Sequence, residues 1–550
     1  MGADPIVPGK SGDRAPSRWG AFGHPAFAII WIGSTIALIG IAMSDTASGW
    51  LMTSLNPDPM AVSMVQVASN LPMFLFTLPA GALADIIEPR RLLIALEIGI
   101  ALLVAGFAMV VSLGLATPAS LLTTTLALSA AWSLTAPAWL SLTPLLVPRG
   151  EMDGATAANS IGYNLSRALG PALGGLAIAG FGVAAPYWLF AGCNLAAIAA
   201  LLAWRAPRRN ADSLPAERLA SAIRTGLRHA ANNGDLRATL ARTVAIYPFA
   251  SAYWALLPLV VRSQVTAGPE FYGVLLGAIS VGAIVGSFAL NWLEARLGPD
   301  RAVAMATLVA AFALVLFGLA REPAVAIFAC VVAGAAWIVI LAILYVSAQV
   351  ALPDWVRARG LAIFLTVIFG AMTAGSAAWG EIAGAANLPT AYFVAAGGAV
   401  LAIPLTWRWK LQTGARSDLT PSLHWRAPAI AGGVEDDQGP ILVTVDYRVA
   451  PENRAAFVLA VDEIGRERRR DGAFGWGAFE DAADKGRFLE TFQIESWLEM
   501  KHLRERVTKT DRLLEDRVHA WLESAPTVTF FVASGRRSHG WKWRVRHPGA

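Results

Sequence analysis

The chain has 550 residues, 55% of them hydrophobic and 15% charged, with a mean hydropathy of +0.52. That balance excludes an ordinary soluble domain, and it makes the net charge of +5 a signal of membrane topology rather than of nucleic-acid binding. The two cysteines, Cys193 and Cys330, both lie in apolar stretches, so no disulfide framework and no metal site is expected.

In chain order, a polar stretch at 1–25 reads as a cytoplasmic N-terminal tail. Twelve apolar segments follow, at 26–55, 61–84, 92–115, 118–147, 154–182, 184–204, 244–262, 271–292, 302–320, 324–351, 360–382 and 390–409. A helix needs roughly 20 apolar residues to cross a hydrocarbon core of about 30 Å, and these segments approach or exceed that length. An Arg-rich cytoplasmic loop at 205–243 splits them into halves at 26–204 and 244–410. Lys and Arg concentrate in alternate loops; the opposite loops hold Arg262 and Arg321, so both termini are expected in the cytoplasm. The halves echo each other. Pro148-Arg149 precedes the fifth segment and Pro353-Asp354-Trp355-Val356-Arg357 the eleventh, and both lead into Gly- and Ala-rich helices. Two similar six-helix halves predict a secondary transporter that alternates access around a central site.

A linker at 411–440 leads to a soluble segment at 441–535. Ile441, Val443, Val445, Tyr447 and Val449 alternate as a half-buried strand does, and Phe457, Val461 and Ile464 share one face of a helix opened by Pro451. Strands at 474–480 and 488–494, one long helix at 497–522 and a strand at 527–533 complete a β-α-β-β-α-β order. Arg466 to Arg470 reads as a solvated helix end, with contact to the anionic inner leaflet as the alternative. The basic tail, 536–550, mixes Trp with Arg and Lys, and weak membrane-surface contact fits it better than nucleic acid. The expected fold class is therefore an all-α membrane protein of twelve transmembrane helices in two six-helix halves, plus a C-terminal ferredoxin-like α+β domain.

Charge within a bilayer is costly, so ionisable residues inside the spans are functional candidates. Asp45, followed by Thr46 and Ser48, is a proton-coupling candidate. Glu97 is a second, although an interaction with Arg90 or Arg91 is the favoured reading. Arg167 suits an anionic substrate or a pairing with Asp45. Gln66, Asn70, Asn159 and Asn164 stand between lining a cavity and bonding helix to helix, while Trp132, Trp139, Trp254, Trp337 and Trp379 are read as packing or interface anchors. Gly9-Lys10-Ser11 lacks the glycine and strand of a phosphate-cradling loop, so an ion or substrate gradient must drive transport, and no cofactor is expected.

Two motifs carry a resemblance. Gly81, Asp85, Arg90 and Arg91 close the second span, and this segment resembles the major facilitator superfamily signature, with Pro89 displacing the basic pair by one residue. Gly170, Pro171, Gly174 and Gly175 in the fifth span resemble the core of the motif of that superfamily's antiport branch. Trp50 to Thr53, Leu71 to Phe74 and Gln349 to Gly360 narrow the likeness to the transmembrane secretion effector subgroup, which includes siderophore exporters. The resemblance spans nearly the whole chain. It implies export of a small molecule across the inner membrane by proton antiport, with the lipid bilayer, the substrate and protons as partners and no nucleic acid. The soluble segment resembles dimeric α+β barrels that include antibiotic-biosynthesis-type monooxygenases. That leaves a dimer through this domain, a sensing role, or a membrane-tethered enzyme as alternatives.

Overall fold

The structure is a computed structural model that describes residues 20–86, 88–204, 219–414, 420, 422, 424, 425 and 438–533; the basic tail and most of the linker lie outside them. The chain forms two compact units.

The first unit is helical. Its helices are α1 (Pro25–Leu55), α2 (Pro59–Ile86), α3 (Pro89–Ser112), α4 (Pro118–Leu146), α5 (Met152–Phe181) and α6 (Ala185–Ala203). After α7 (Leu219–Asn232) come α8 (Gly234–Leu259), which ends in a π-turn at Val260–Val265, and α9 (Pro269–Leu319). Then follow α10 (Pro323–Val350), α11 (Asp354–Ala385) and α12 (Leu388–Thr406). Proline opens many of them, because the first turn has no partner for the N–H that proline lacks. Among the described residues, ten helices are long and apolar enough to cross a membrane. α5 is not one of the ten, and α9 contains two of the expected spans: Gly298, at φ 72, breaks its helical geometry just before Pro299.

Small residues set the helix contacts. A Cβ on Gly33 of α1 would sit 2.8 Å from Ala200 Cβ of α6, and one on Gly282 of α9 would run into the Val331 carbonyl oxygen of α10. Such close approach maximises dispersion contacts where lipid supplies no hydrophobic drive. Trp337 packs edge-on against Tyr247 at 5.2 Å, and Trp379 Nε1 donates to the Pro248 carbonyl at 2.6 Å. Both tryptophans are packing residues.

The second unit gathers three pieces of chain, 220–237, 348–360 and 414–550. Its sheet consists of β1 (Ile441–Arg448), β2 (Phe474–Glu480), β3 (Arg487–Ile494) and β4 (Thr527–Val532), all antiparallel in the order β2-β3-β1-β4. One face buries Ile441, Val443, Val445, Phe488 and Phe492 with Phe457, Val461 and Ile464 of α13 (Arg454–Arg470). The long helix expected at 497–522 is instead two, α14 (Trp497–Arg506) and α15 (Lys509–His519). Thr508 stops the first and caps the second: its hydroxyl accepts from the Asp511 N–H while Asp511 accepts from the Thr508 N–H.

The 466–470 run is also corrected, because Arg468 and Arg470 are not solvated. Arg468, 8% exposed, pairs with Glu515 at 2.7 Å and with Glu490 at 3.5 Å, beneath the Trp425 ring. Glu490 also accepts from Tyr447 Oη and Trp476 Nε1. Arg470 pairs with Asp471 and Asp511. Arginine emerges inward here because its α13 positions fall on the buried face, where carboxylates await it. Removing one partner strands the others' charge, so Arg468→Ala is expected to destabilise this unit by about 3–5 kcal/mol. Hydrogen exchange at β1 and β3 in the full-length protein reads that loss.

Two carboxyls in this network titrate in opposite senses. Burial alone would raise Glu515, but Arg468 and bonds from His424 and Trp425 outweigh it and hold it at about 2. Burial, then Asp511, push Glu467 well above the ordinary glutamate range. The native state thus holds fewer protons than the unfolded chain at Glu515 and more at Glu467. Glu515's contribution is lost as pH falls from its ordinary range towards 2. Glu467's contribution declines as pH rises from its ordinary range through its raised value. Glu467→Gln is expected to flatten the alkaline decline, measured as hydrogen exchange of α13 against pH.

Candidate functional site

Two connected cavities occupy the helical unit. The first, about 310 Å³, is lined from α1, α2, α4, α5, α8 and α9, and receives Asp45, Gln66, Arg167, Trp254 and Tyr272. On α1, the Thr46 and Ser48 hydroxyls donate to the carbonyls of Ala42 and Ser44 one turn back. These bonds satisfy the hydroxyls locally, and Asp45 is left exposed to the cavity with no hydrogen bond or ion pair among the described residues. Arg167 of α5 lies 5.8 Å from the ring centres of both Tyr163 on its own helix and Trp254 of α8. Its backbone carbonyl accepts from Ser280 of α9 at 2.9 Å. Arg167 therefore ties the first six helices to the following ones.

The second cavity, about 510 Å³, is lined from α1, α3, α4, α5 and α6, and shares Leu38, Ile41, Trp132 and Tyr163 with the first. Here lies Glu97, 3% exposed. Trp139 Nε1 donates to its carboxylate at 3.2 Å, and Asn194 donates to its backbone carbonyl at 2.8 Å. The favoured link to Arg90 or Arg91 is not made. Arg90 donates to the carbonyls of Leu201 and Leu202, and Arg91 pairs with Glu88 at 2.7 Å. Both arginines begin α3, and they satisfy the carbonyls ending α6 and the helix's own preceding turn rather than reaching inward.

The polar candidates separate. Gln66 lines the first cavity, Asn159 and Asn164 the second, and Asn70 lines neither; it is buried with its amide nitrogen unpaired. Gly81 and Asp85 end α2, and their side chains lie outside the described residues. The α5 glycines are contact points. A Cβ on Gly170 would strike Ala42 of α1; on Gly174, the Met43 backbone at 3.0 Å; on Gly175, the Pro269 carbonyl oxygen of α9 at 2.7 Å. A Cβ on Gly273 of α9 would lie 2.6 Å from the Pro171 carbonyl oxygen, so α5 and α9 approach backbone to backbone. At the same end, Arg262 donates to Thr53 and Ser54 at 3.1 Å, and Trp50 stacks on Tyr272.

Tyr163, Tyr272 and Asn194 join the site without having been singled out in the sequence. Tyr163 had a signal, standing one turn before Arg167 on the same helix. Asn194 is the lone amide of an apolar helix. Tyr272 had none, since only packing brings α9 against α1.

Helices lining a polar cavity that holds a carboxylate and a guanidinium define a membrane transporter. The chain belongs to the transmembrane secretion effector family of major facilitators, which it matches over residues 16–537. It is 28% identical to the multidrug efflux pump Tap of Mycobacterium tuberculosis over 389 residues, covering 68% of this chain and 90% of Tap. It is 26% identical to the enterobactin exporter EntS of Escherichia coli over 304 residues, 54% of this chain and 70% of EntS. Among solved structures, it is similar in fold to a POT family transporter in complex with 5-aminolevulinic acid (TM-score 0.60, 12% identity, 71% of this chain and 97% of that one). It also resembles the nucleoside transporter NupG (TM-score 0.53, 12% identity, 70% and 99%). The family and these relatives are transporters, and the chain is not an enzyme.

Proposed function

We propose that this protein is a twelve-span secondary exporter of the inner membrane that moves a small molecule out of the cytoplasm in exchange for protons. The observation that carries the reading is the placing of Asp45 and Arg167 in one cavity lined by helices of both halves. A carboxylate there can take a proton from one side and release it to the other. Glu97 is the second protonation candidate, and Arg167, Gln66, Asn70 and Asn164 the substrate-binding ones. The break at Gly298 and the 30-residue length of α5 support twelve spans, with residues 26–204 and 244–410 as the halves. Both termini are then cytoplasmic, and the α5–α9 contact closes the outer end. The efflux relatives support the outward direction. The test is efflux in energised inverted vesicles: uncoupler-sensitive accumulation is expected, and uptake indifferent to the proton gradient would overturn antiport.

For the 441–535 domain, the sheet order β2-β3-β1-β4 supports a ferredoxin-like fold. Regulation is the role its contacts support. His229 of α7 donates to the Arg470 carbonyl and packs edge-on against Trp355, which in turn lies 4.3 Å beneath the Arg506 guanidinium. Burial, then Arg470, push the His229 imidazole down to about 3, so it packs as a neutral ring. Asn233 donates to the Ala351 carbonyl at 2.7 Å. The domain thus grips the segments that lead into α8 and α11. Trp355→Ala is expected to change the efflux rate severalfold without loss of protein from the membrane; an unchanged rate would remove the regulatory reading. Exposed Phe479, Leu489 and Phe531 on the outer sheet face support a dimer through this domain, which light scattering of the full-length protein tests.

A further inference from the structure

The second cavity has a chemical character distinct from the first. Among the described residues, Glu97 is the only charged one lining it, and no lysine, arginine or histidine is in its wall. Arg167 belongs to the first cavity alone. A carboxylate, 3% exposed, in a largely apolar chamber is costly unless a proton or another cation accompanies it. The Trp139 Nε1 that donates to its carboxylate is neutral and leaves the charge uncompensated.

The rest of the wall is mostly apolar and carries a set of aromatic rings. Trp31, Trp132 and Trp139 contribute indoles, and Tyr163 a phenol. Trp31 Nε1 is held by the Ala158 carbonyl at 2.8 Å and Trp139 Nε1 by Glu97, so both donors are satisfied before any ligand arrives. Asn159 and Asn164 are likewise engaged, with Thr143 and with the Ser160 carbonyl. What remains for a ligand is largely aromatic and apolar surface, with a few hydroxyl and amide oxygens, around one negative charge. That combination favours a cation carrying flat apolar groups, through charge pairing and cation–π attraction together. A volume of about 510 Å³ falls in the range of drug-sized ligand sites, roughly 300–1,000 Å³.

We infer that this cavity binds the cationic, aromatic part of the exported compound, with Glu97 as its countercharge. The inference rests on the exporter reading and sharpens it by naming a substrate class and a place. Cation and proton compete for Glu97, so substrate arrival expels a proton. Leu38, Ile41, Trp132 and Tyr163 border both cavities, and they connect this site to Asp45.

The experiment is equilibrium binding of radiolabelled tetraphenylphosphonium to the full-length protein in neutral-lipid nanodiscs, with no gradient present. Tetraphenylborate, of matching shape and opposite charge, is the comparison. Saturable binding of the cation alone is expected, weakening as pH falls. Glu97→Gln is expected to weaken it about tenfold and to abolish the pH dependence. Trp132→Ala, which leaves the Trp139 and Asn194 bonds to Glu97 in place, is expected to weaken binding severalfold while keeping the pH dependence, a pattern that misfolding does not produce. Equal binding of both ions, or a Glu97→Gln protein that binds as the parent does with the same pH profile, overturns the site. Glu97-dependent binding without gradient-driven efflux keeps the site and overturns the exporter reading. Efflux of other compounds with no saturable tetraphenylphosphonium binding overturns the site alone.

Discussion

Asp45→Asn is expected to abolish efflux driven by a pH gradient while leaving the protein in the membrane and able to exchange substrate down its own gradient. The amide preserves the shape of the side chain and removes only its capacity to carry a proton. Asp45 faces a cavity, and the hydroxyls of its neighbours Thr46 and Ser48 exchange hydrogen bonds but do not ionise near neutral pH, so they cannot take over its proton. Loss of coupling should therefore approach completeness, on the order of a hundredfold, or about 2.7 kcal/mol in driving terms. Inverted vesicles with an imposed pH gradient measure the coupled rate, and counterflow measures exchange. Undiminished coupled transport in this variant removes Asp45 from the mechanism; loss of exchange as well makes its role structural.

The second large effect is expected at the meeting of α5 and α9. In Gly175→Ala the new methyl would lie 2.7 Å from the Pro269 carbonyl oxygen and 3.1 Å from Gly273 Cα. Both are backbone atoms and cannot rotate away, so the helices must separate. Overpacking of this kind costs about 1–3 kcal/mol. If the contact forms in one transport state and opens in the other, that cost shifts the balance between them by roughly five- to a hundredfold. Transport is expected to fall about tenfold or more, with a longer spin-label distance between α5 and α9. Gly273→Ala should act alike, because its methyl meets the Pro171 carbonyl oxygen. Gly180→Ala is the control: it lies on the same helix with nothing within 4 Å, and should be silent. Normal transport by Gly175→Ala would show that this crossing is static packing.

Much of the architecture was legible because the bilayer allows few solutions. Backbone groups in lipid must pair within their own helix, so each apolar run had to be a helix, and the segment bounds fell within a few residues of α1 to α6, α10 and α12, while α11 begins six residues before its expected start. The strands were legible for a similar reason: strict alternation at 441–449 admits only one buried face. What stayed hidden depended on partners distant in sequence. Arg468 reads as solvent-facing until Glu490 and Glu515 are brought to it. Glu97 reads as a partner of the nearby Arg90 and Arg91 until α6 offers Arg90 its terminal carbonyls and Glu88 takes Arg91.

By itself the sequence determined that this protein lives in a membrane, that its apolar runs are helices, and that a small domain with a sheet follows. Hydropathy and periodicity are local quantities, and local quantities suffice for those conclusions. Only the tertiary structure decided that Asp45 shares a cavity with Arg167 while Glu97 stands in another without a basic neighbour. That division follows from which helix faces pack together. Glycine contacts at α1, α5 and α9 determine it, and no single segment contains the information.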